Sequence, residues 1–247
     1  MAAAMGTKER RQREFNDRET LFLDAALELV RCNGLLNLQM SRLAEKAEYA
    51  VGTLYLHFES KEDLLLALVT RSFREYIELV RKAEAWNAPS RDRMFAVGVA
   101  DLVFVRRHPD YFRIAQYSLC EVSWKAASDA RRQAFLDAND PLVEIVSGIV
   151  EDARRAGDLP ASGASAQEMA VGVWALCVGH QNLAHAEGLL ADFSVTDPYP
   201  LLCRHLVALL DGFHWKPVSD PADAGAVDSL IARVLREVFN EECDVAR

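Results

Sequence analysis

Apolar residues recur every three or four positions from Arg18 onward, and no segment alternates in the way that a half-buried β-strand does. The pattern predicts an all-α protein. Pro141 interrupts the longest helical stretch, so we expect a kink there or two helices that meet at 139–140. Glycines, prolines and cap residues divide the pattern into helices at about 18–33, 39–47, 51–58, 61–86, 90–105, 109–117, 123–156, 165–190, 197–211 and 227–240.

Residues 39–61 predict two short helices joined by a tight turn. The first helix places Leu43, Ala44 and Ala47 on one side, and the second places Leu54 and Phe58 on its inner side. The outer side of the second helix is left with small, hydroxyl-bearing and aromatic residues. A short helix with such a surface fits the major groove of DNA, and we interpret the segment as a helix-turn-helix.

The candidate DNA contacts lie on these two helices and just after them. The Tyr55 hydroxyl is placed to reach a phosphate. Lys61 places a positive charge at a helix start, where the helix dipole makes it unfavourable. Its position is therefore better explained by a bound anion than by helix stability. His57 is predicted either to contact phosphate or to support the helix end, and an ordinary helical corner of an enzyme or adaptor is the alternative for the whole segment. The full candidate set is Gln39, Ser41, Arg42, Ala50, Val51, Gly52, Thr53, Tyr55, His57 and Lys61.

The order Gly52-Thr53-Leu54-Tyr55-x-His57-Phe58-x-Ser60-Lys61-Glu62 resembles the tetracycline-repressor (TetR) family of bacterial transcriptional regulators. The similarity covers about residues 17 to 68. It implies an N-terminal three-helix DNA-binding domain, joined by a long helix to a variable helical domain that dimerises and binds a small molecule. It also implies that Tyr55 and Lys61 contact phosphates and that residues 51–53 approach base edges.

Three positions depart from the family pattern. Glu48 stands where glycine is common in the turn, Ala50 where a capping serine or threonine is frequent, and Val51 where a polar or basic residue is usual. Alanine cannot accept N–H bonds at a helix start, which costs about 1 kcal/mol. Val51 is suited instead to a thymine methyl group. We expect these departures to alter operator sequence and affinity more than the fold.

The chain of 247 residues carries a net charge of −9 that is unevenly distributed. We expect a flexible basic arm over 1–16, a helix-turn-helix domain over 17–62, and a helical ligand-binding and dimerisation domain over 63–247. The arm's arginines suit the DNA backbone or the adjacent minor groove, while a solvated, disordered tail is the alternative. Acidic residues concentrate in the C-terminal part, away from the predicted DNA-binding end.

The C-terminal part sets a few polar residues among aromatic ones, as in pockets for organic ligands. Ordinary core packing is the alternative for each of these residues, and Trp174 and His180 are equally suited to a dimer interface. The candidate ligand contacts are Phe104, Tyr117, Glu121, Trp124, Trp174, Cys177 and His180.

Several function classes are disfavoured by the sequence. The five cysteines include no C-x-x-C pair, so we expect neither a metal site nor a disulfide framework, and no cofactor. The longest apolar run, 169–179, is too short to span a membrane, and no signal peptide is visible, which favours a cytoplasmic protein. Motifs such as G-x-S-x-G and H-E-x-x-H are missing, so we do not expect an enzyme.

Together these features predict a homodimeric, sequence-specific DNA-binding regulator, most simply a repressor released by an unidentified small molecule. Its partner is a pseudo-palindromic double-stranded operator whose half-sites lie about 34–36 Å apart. The alternative is an all-α dimeric ligand sensor whose DNA binding is degenerate or lost, and a helical-bundle enzyme is a third possibility.

Overall fold

The computed structural model describes residues 6–219 and 224–241, and every regular element within them is helical, which confirms the all-α prediction. The described part of the chain contains two short 3₁₀ turns, at Leu35–Asn37 and Leu190–Phe193. Its helices are α1 (Thr7–Asn33), α2 (Met40–Lys46), α3 (Val51–Tyr55), α4 (Lys61–Ala85), α5 (Ser90–Arg107), α6 (Pro109–Ser118), α7 (Glu121–Ala126), α8 (Asp129–Ala156), α9 (Ala166–His185), α10 (Pro198–Gly212) and α11 (Ala224–Phe239).

The chain folds into two compact units that are interleaved along the sequence. The first unit comprises the described residues of Met1–Ser72 together with His108–Ala138, and the second comprises those of Phe73–Arg107 and Asn139–Arg247. Helices α4 and α8 each run without interruption from one unit into the other. Among the described helices, none combines the length and apolarity needed to cross a bilayer.

Helix α1 begins at Thr7, so the predicted start at Arg18 is wrong. Residues 7–16, part of the expected flexible basic arm, are helical because the arm consists of good helix formers with supporting side-chain pairs. Arg10 pairs with Glu14 at 3.6 Å. Phe15 also anchors the extension, since its ring stacks on that of His57 with 3.9 Å between centroids.

The stretch predicted as one helix over 123–156 is two helices, α7 and α8, separated at 127–128. The break forms because the Ser128 N–H donates to Asp63 Oδ1 at 2.7 Å and the Ser128 hydroxyl to Asp63 Oδ2, which draws this backbone out of the helical ladder. Pro141 lies inside α8, so the expectation of two helices meeting at 139–140 is wrong.

The core of the first unit surrounds the helix-turn-helix, and that of the second surrounds α5. Leu43, Leu54 and Phe58 are fully buried together with Phe22 of α1. Helix α5 is buried almost all round between Met94 and Val105, where its sequence is apolar at every position except Gly98 and Asp101. At Gly98 a Cβ atom would lie 2.6 Å from Leu206 Cδ1, so α5 and α10 are in contact through a position that only glycine can occupy without displacing that leucine.

Candidate nucleic-acid interface

The two helices of the predicted helix-turn-helix form as the sequence indicates. Leu43 and Ala44 bury the inner side of α2, and Leu54 buries that of α3. The turn between them closes with a hydrogen bond from the Tyr49 N–H to the Ala44 carbonyl, at 2.9 Å. The arrangement of α1, α2 and α3 is that of a helix-turn-helix module.

Most of the predicted contact residues are exposed to solvent. Tyr55 keeps 48% of its surface exposed, and Thr53 is half-buried. Leu56 is also strongly exposed beside Tyr55, a position that the sequence analysis did not select. The exposed predicted residues are Gln39, Ser41, Arg42, Ala50, Val51, Gly52 and Tyr55.

Glu48 in the turn and Ala50 at the start of α3 are both less favourable there than the residues that are usual at these positions. Glu48 adopts a left-handed backbone with φ 59°, which non-glycine residues occupy at a cost of roughly 1–2 kcal/mol. Ala50 is the N-cap of α3, and its side chain accepts no hydrogen bond. The first N–H groups of α3 therefore lack the side-chain acceptor that a serine or threonine would supply.

Two predicted contact residues are engaged inside the first unit. Lys61 is half-buried, and its Nζ donates to the Leu35 carbonyl at 3.2 Å while lying 5.9 Å from the centre of the Tyr117 ring. His57 is only 7% exposed and lies between Phe15 and Phe22. Burial lowers the pKa of His57, so a neutral ring supports the module from within and we do not place it on the DNA-facing surface.

Residues 108–138 fasten the module through charged groups that sequence reasoning did not select. Arg131 donates to Glu19 Oε1 and to the His57 carbonyl, each at 2.8 Å, and its guanidinium lies 5.0 Å from the centre of the Phe58 ring. Nothing in the sequence spacing points to Arg131. Phe15 could have been predicted as a packing residue, because it precedes Phe22 by two helical turns and so extends the apolar stripe of α1.

The predicted ligand contacts are divided between the two units. Tyr117, Glu121 and Trp124 belong to the first unit. Tyr117 donates to Glu62 at 3.3 Å, Glu121 pairs with Lys125, and Trp124 contacts Phe135 edge-on. The remaining candidates, in the second unit, are Phe104, Trp174, Cys177 and His180.

The ligand candidates of the second unit have different surroundings. Trp174 is 56% exposed on α9, whereas Cys177 and His180 of the same helix are buried. His180 Nε2 hydrogen-bonds the Pro198 carbonyl at 2.5 Å, and burial lowers its pKa. Burial also raises the pKa of the Cys177 thiol, so the thiol is neutral.

Asp101 of α5 is a further titratable group in this unit. Burial raises the pKa of its carboxyl to about 6, although a hydrogen bond from Gln181 acts in the opposite direction. Tyr76 of α4 lies close enough that burial and the Asp101 charge together raise its pKa well above the ordinary value. The sequence alone could not select Tyr76, because an aromatic ligand-binding residue and an aromatic core residue show the same helical spacing.

Part of the first unit is similar in sequence to known proteins. A family model for bacterial regulatory proteins of the tetR family matches residues 22–68. The fatty acid metabolism regulator protein of Bacillus subtilis (strain 168) is 33% identical over 75 residues, which are 30% of this chain and 39% of that protein. The transcriptional repressor KstR of Rhodococcus jostii is 39% identical over 72 residues, or 29% of this chain and 34% of KstR. The aligned regions thus span well under half the length of these relatives.

Solved structures resemble the fold over most of the chain. A tetR-family regulatory protein from Rhodococcus RHA1 matches with a TM-score of 0.59 at 18% identity, covering 82% of this chain and 98% of that one. FadR from Bacillus subtilis, solved in complex with stearoyl-CoA, matches with a TM-score of 0.56 at 18% identity, covering 81% and 99%. Residues 22–68 therefore match bacterial regulatory proteins of the tetR family in sequence, and the helical fold of most of the chain resembles that of the solved structures.

Replacing Glu48 should stabilise the turn. We expect Glu48→Gly and Glu48→Asn to raise the free energy of unfolding by about 0.5–1 kcal/mol, because both residues accept the left-handed backbone more readily than glutamate. Thermal unfolding of the full chain measures the effect. Glu45→Gly, inside α2, is the matched control and should destabilise by about 1 kcal/mol. Equal destabilisation by glycine at positions 45 and 48 would contradict backbone strain at Glu48.

Replacing Asp101 should change the pH dependence of stability. The folded carboxyl holds its proton up to about pH 6, whereas the unfolded one releases it near 3.8, so stability falls as pH rises through this window. Asp101→Asn should therefore be more stable than the wild type above the window, by at most about 3 kcal/mol, with the difference vanishing near pH 4. Denaturation across pH measures this. The exposed Asp140→Asn should show no such trend, and a pH-independent gain at 101 would argue against a buried ionised carboxyl.

Proposed function

We propose that the chain is a homodimeric, sequence-specific DNA-binding transcriptional regulator, a repressor released by a small molecule. The observation that carries the proposal is the exposed surface of α3, where Val51, Gly52 and Tyr55 project from a helix whose Leu54 is fully buried. A surface of this composition on a helix-turn-helix suits the major groove. The names of the relatives, a fatty acid metabolism regulator and the repressor KstR, support a regulatory role.

Basic residues of α1 support the same proposal. Lys8, Arg10, Arg11 and Arg13 are all exposed on the first turns of the helix. Helical presentation fixes their spacing, so they can contact phosphates flanking the groove as a set. These basic residues are concentrated at one end of a chain that is acidic overall, with a sequence pI of about 5.2.

Dimerisation is supported by an apolar stripe on α9. Val171, Trp174, Ala175 and Val178 follow the three- and four-residue spacing of one helix face, and Val171 and Trp174 are each more than half exposed. A row of exposed large apolar side chains is unusual on a monomer. Two copies of this stripe would form the self-complementary surface that a two-fold dimer needs.

Selection of DNA from a random pool tests the function. We expect a pseudo-palindrome with half-site centres about 10 base pairs apart or a multiple of it. On the selected operator, Tyr55→Phe should weaken binding by roughly five- to a hundredfold for every sequence alike, because it removes one hydroxyl bond to a phosphate in each subunit of the dimer. Fluorescence anisotropy measures the affinity, and Tyr199→Phe in the second unit is the control. Failure to enrich any sequence would favour the alternative, a ligand sensor without DNA binding.

Interrupting the α9 stripe should separate the dimer. Trp174→Glu places two carboxylates against an apolar surface, so we expect a monomer by sedimentation and a loss of operator affinity, because half-sites are then bound singly. Val122→Glu, at an even more exposed apolar position in the first unit, should leave the dimer intact. A Trp174→Glu protein that still sediments as a dimer would place the interface elsewhere.

A further inference from the structure

A carboxylate and an amide are hydrogen-bonded to each other inside the second unit, and DNA binding uses neither. Asp101 interrupts the apolar sequence of α5. Gln181 of α9 is completely buried, and its Nε2 donates to Asp101 Oδ2 at 3.4 Å. The Gln181 Oε1 atom is also buried and has no hydrogen-bond partner. An unpartnered buried oxygen destabilises the fold, and a hydrogen-bond donor from a ligand would remove that cost.

Aromatic rings lie next to these acceptors. The rings of Tyr76 and Phe104 are 5.5 Å apart between centroids, and Phe73 contacts Tyr76 edge-on at 6.0 Å. Tyr76, Phe104 and Asp101 each retain some accessible surface, although burial dominates the environment of both Tyr76 and Asp101. These three side chains are therefore partly accessible to a molecule in solution, while Gln181 lies completely buried behind them.

The charge of the site is negative and uncompensated. Among the described residues, no basic side chain forms an ion pair with Asp101. The groups that act on it are Tyr76 from α4 and Cys177 and Gln181 from α9, with Cys203 of α10 beside Cys177. Tyr76 and Cys177 have raised pKa values and are neutral, so the carboxylate is the site's charge at neutral pH.

We propose that Asp101, Gln181 and the rings of Tyr76 and Phe104 bind an organic cation, an apolar molecule that carries a protonated amine. The inference rests on the proposed function, in which this molecule is the effector. An ammonium group donates to both acceptor oxygens, and aromatic rings attract its positive charge. A phosphate or carboxylate would be repelled by Asp101, so the site differs in chemistry from one for a polyanion such as the stearoyl-CoA held by FadR of Bacillus subtilis.

Matched amine and alcohol probes test the charge requirement. Calorimetric titration of the full-length protein would compare 1-naphthylmethylamine with 1-naphthylmethanol, and benzylamine with benzyl alcohol, so that a size limit does not decide the result. At about pH 7.5 we expect at least one amine to bind about tenfold or more tightly than its alcohol. The preference should shrink at about pH 5, where Asp101 is protonated and the amines remain charged.

Variants assign the preference to the site. Asp101→Asn keeps the shape of the side chain, and we expect it to abolish the preference for the amine while changing alcohol affinity less than about threefold. Gln181→Leu should weaken amine binding as well, and Asp140→Asn is the control. Equal binding of each amine and its alcohol, no binding of either amine, or a preference that survives in Asp101→Asn would each overturn the proposal.

The outcomes separate this site from the proposed function. Selection of a specific operator, with no amine preference, would overturn the cation site and leave the DNA-binding regulator standing. Amine binding that depends on Asp101, in a protein that selects no DNA, would defeat the regulator and leave the site. If both hold, release of the operator by the preferred amine, measured by anisotropy and lost in Asp101→Asn, identifies the amine class as the effector.

Discussion

The recognition helix α3 has only five residues, and a helix this short is not stable by itself in water. Its position therefore depends on burial of Leu54 and Phe58, both with no accessible surface, against the core that includes Phe22. Because the inner side is fixed so tightly, the outer side can consist of small and exposed residues such as Gly52 and Val51. The exposed surface of α3 is thus a consequence of packing on its opposite side, and its exposed residues contribute little to holding the helix in place.

One buried carboxylate joins the start of α4 to the start of α8. Asp63 is almost inaccessible and accepts hydrogen bonds from the Glu59 N–H, the Ser128 N–H and the Ser128 hydroxyl. A carboxylate in the first turn of a helix is stabilised by the helix dipole, which offsets its burial without a cationic partner. Arg131 continues the connection from α8 to Glu19 of α1. Residues far apart in sequence therefore fasten the end of the recognition module as firmly as its own short helices do.

Helical periodicity and cap residues were enough to predict the all-α class and the two helices of the module, since both signals are local. Long-range features were not predictable in this way. The break before α8 depends on Asp63 meeting Ser128, and no local preference of Ser128 encodes that contact. The exposure of candidate residues was predictable where it follows from an amphipathic pattern, as at Tyr55. It was less so for Lys61 and His57, because a basic residue near a helix end has the same sequence signature whether it binds phosphate or a backbone carbonyl.

The buried polar groups of the chain differ in how completely the fold satisfies their hydrogen bonds. In the first unit, buried charged groups such as Asp63 have several hydrogen-bond partners, so their burial is compensated within the fold. In the second unit, Arg91 is similarly satisfied by Asp211 and by the Trp215 carbonyl. Asp101 has a single weak amide partner, and that amide's own oxygen has none. An apolar residue would stabilise α5 better at this position, so the acid is best explained by a ligand rather than by the fold.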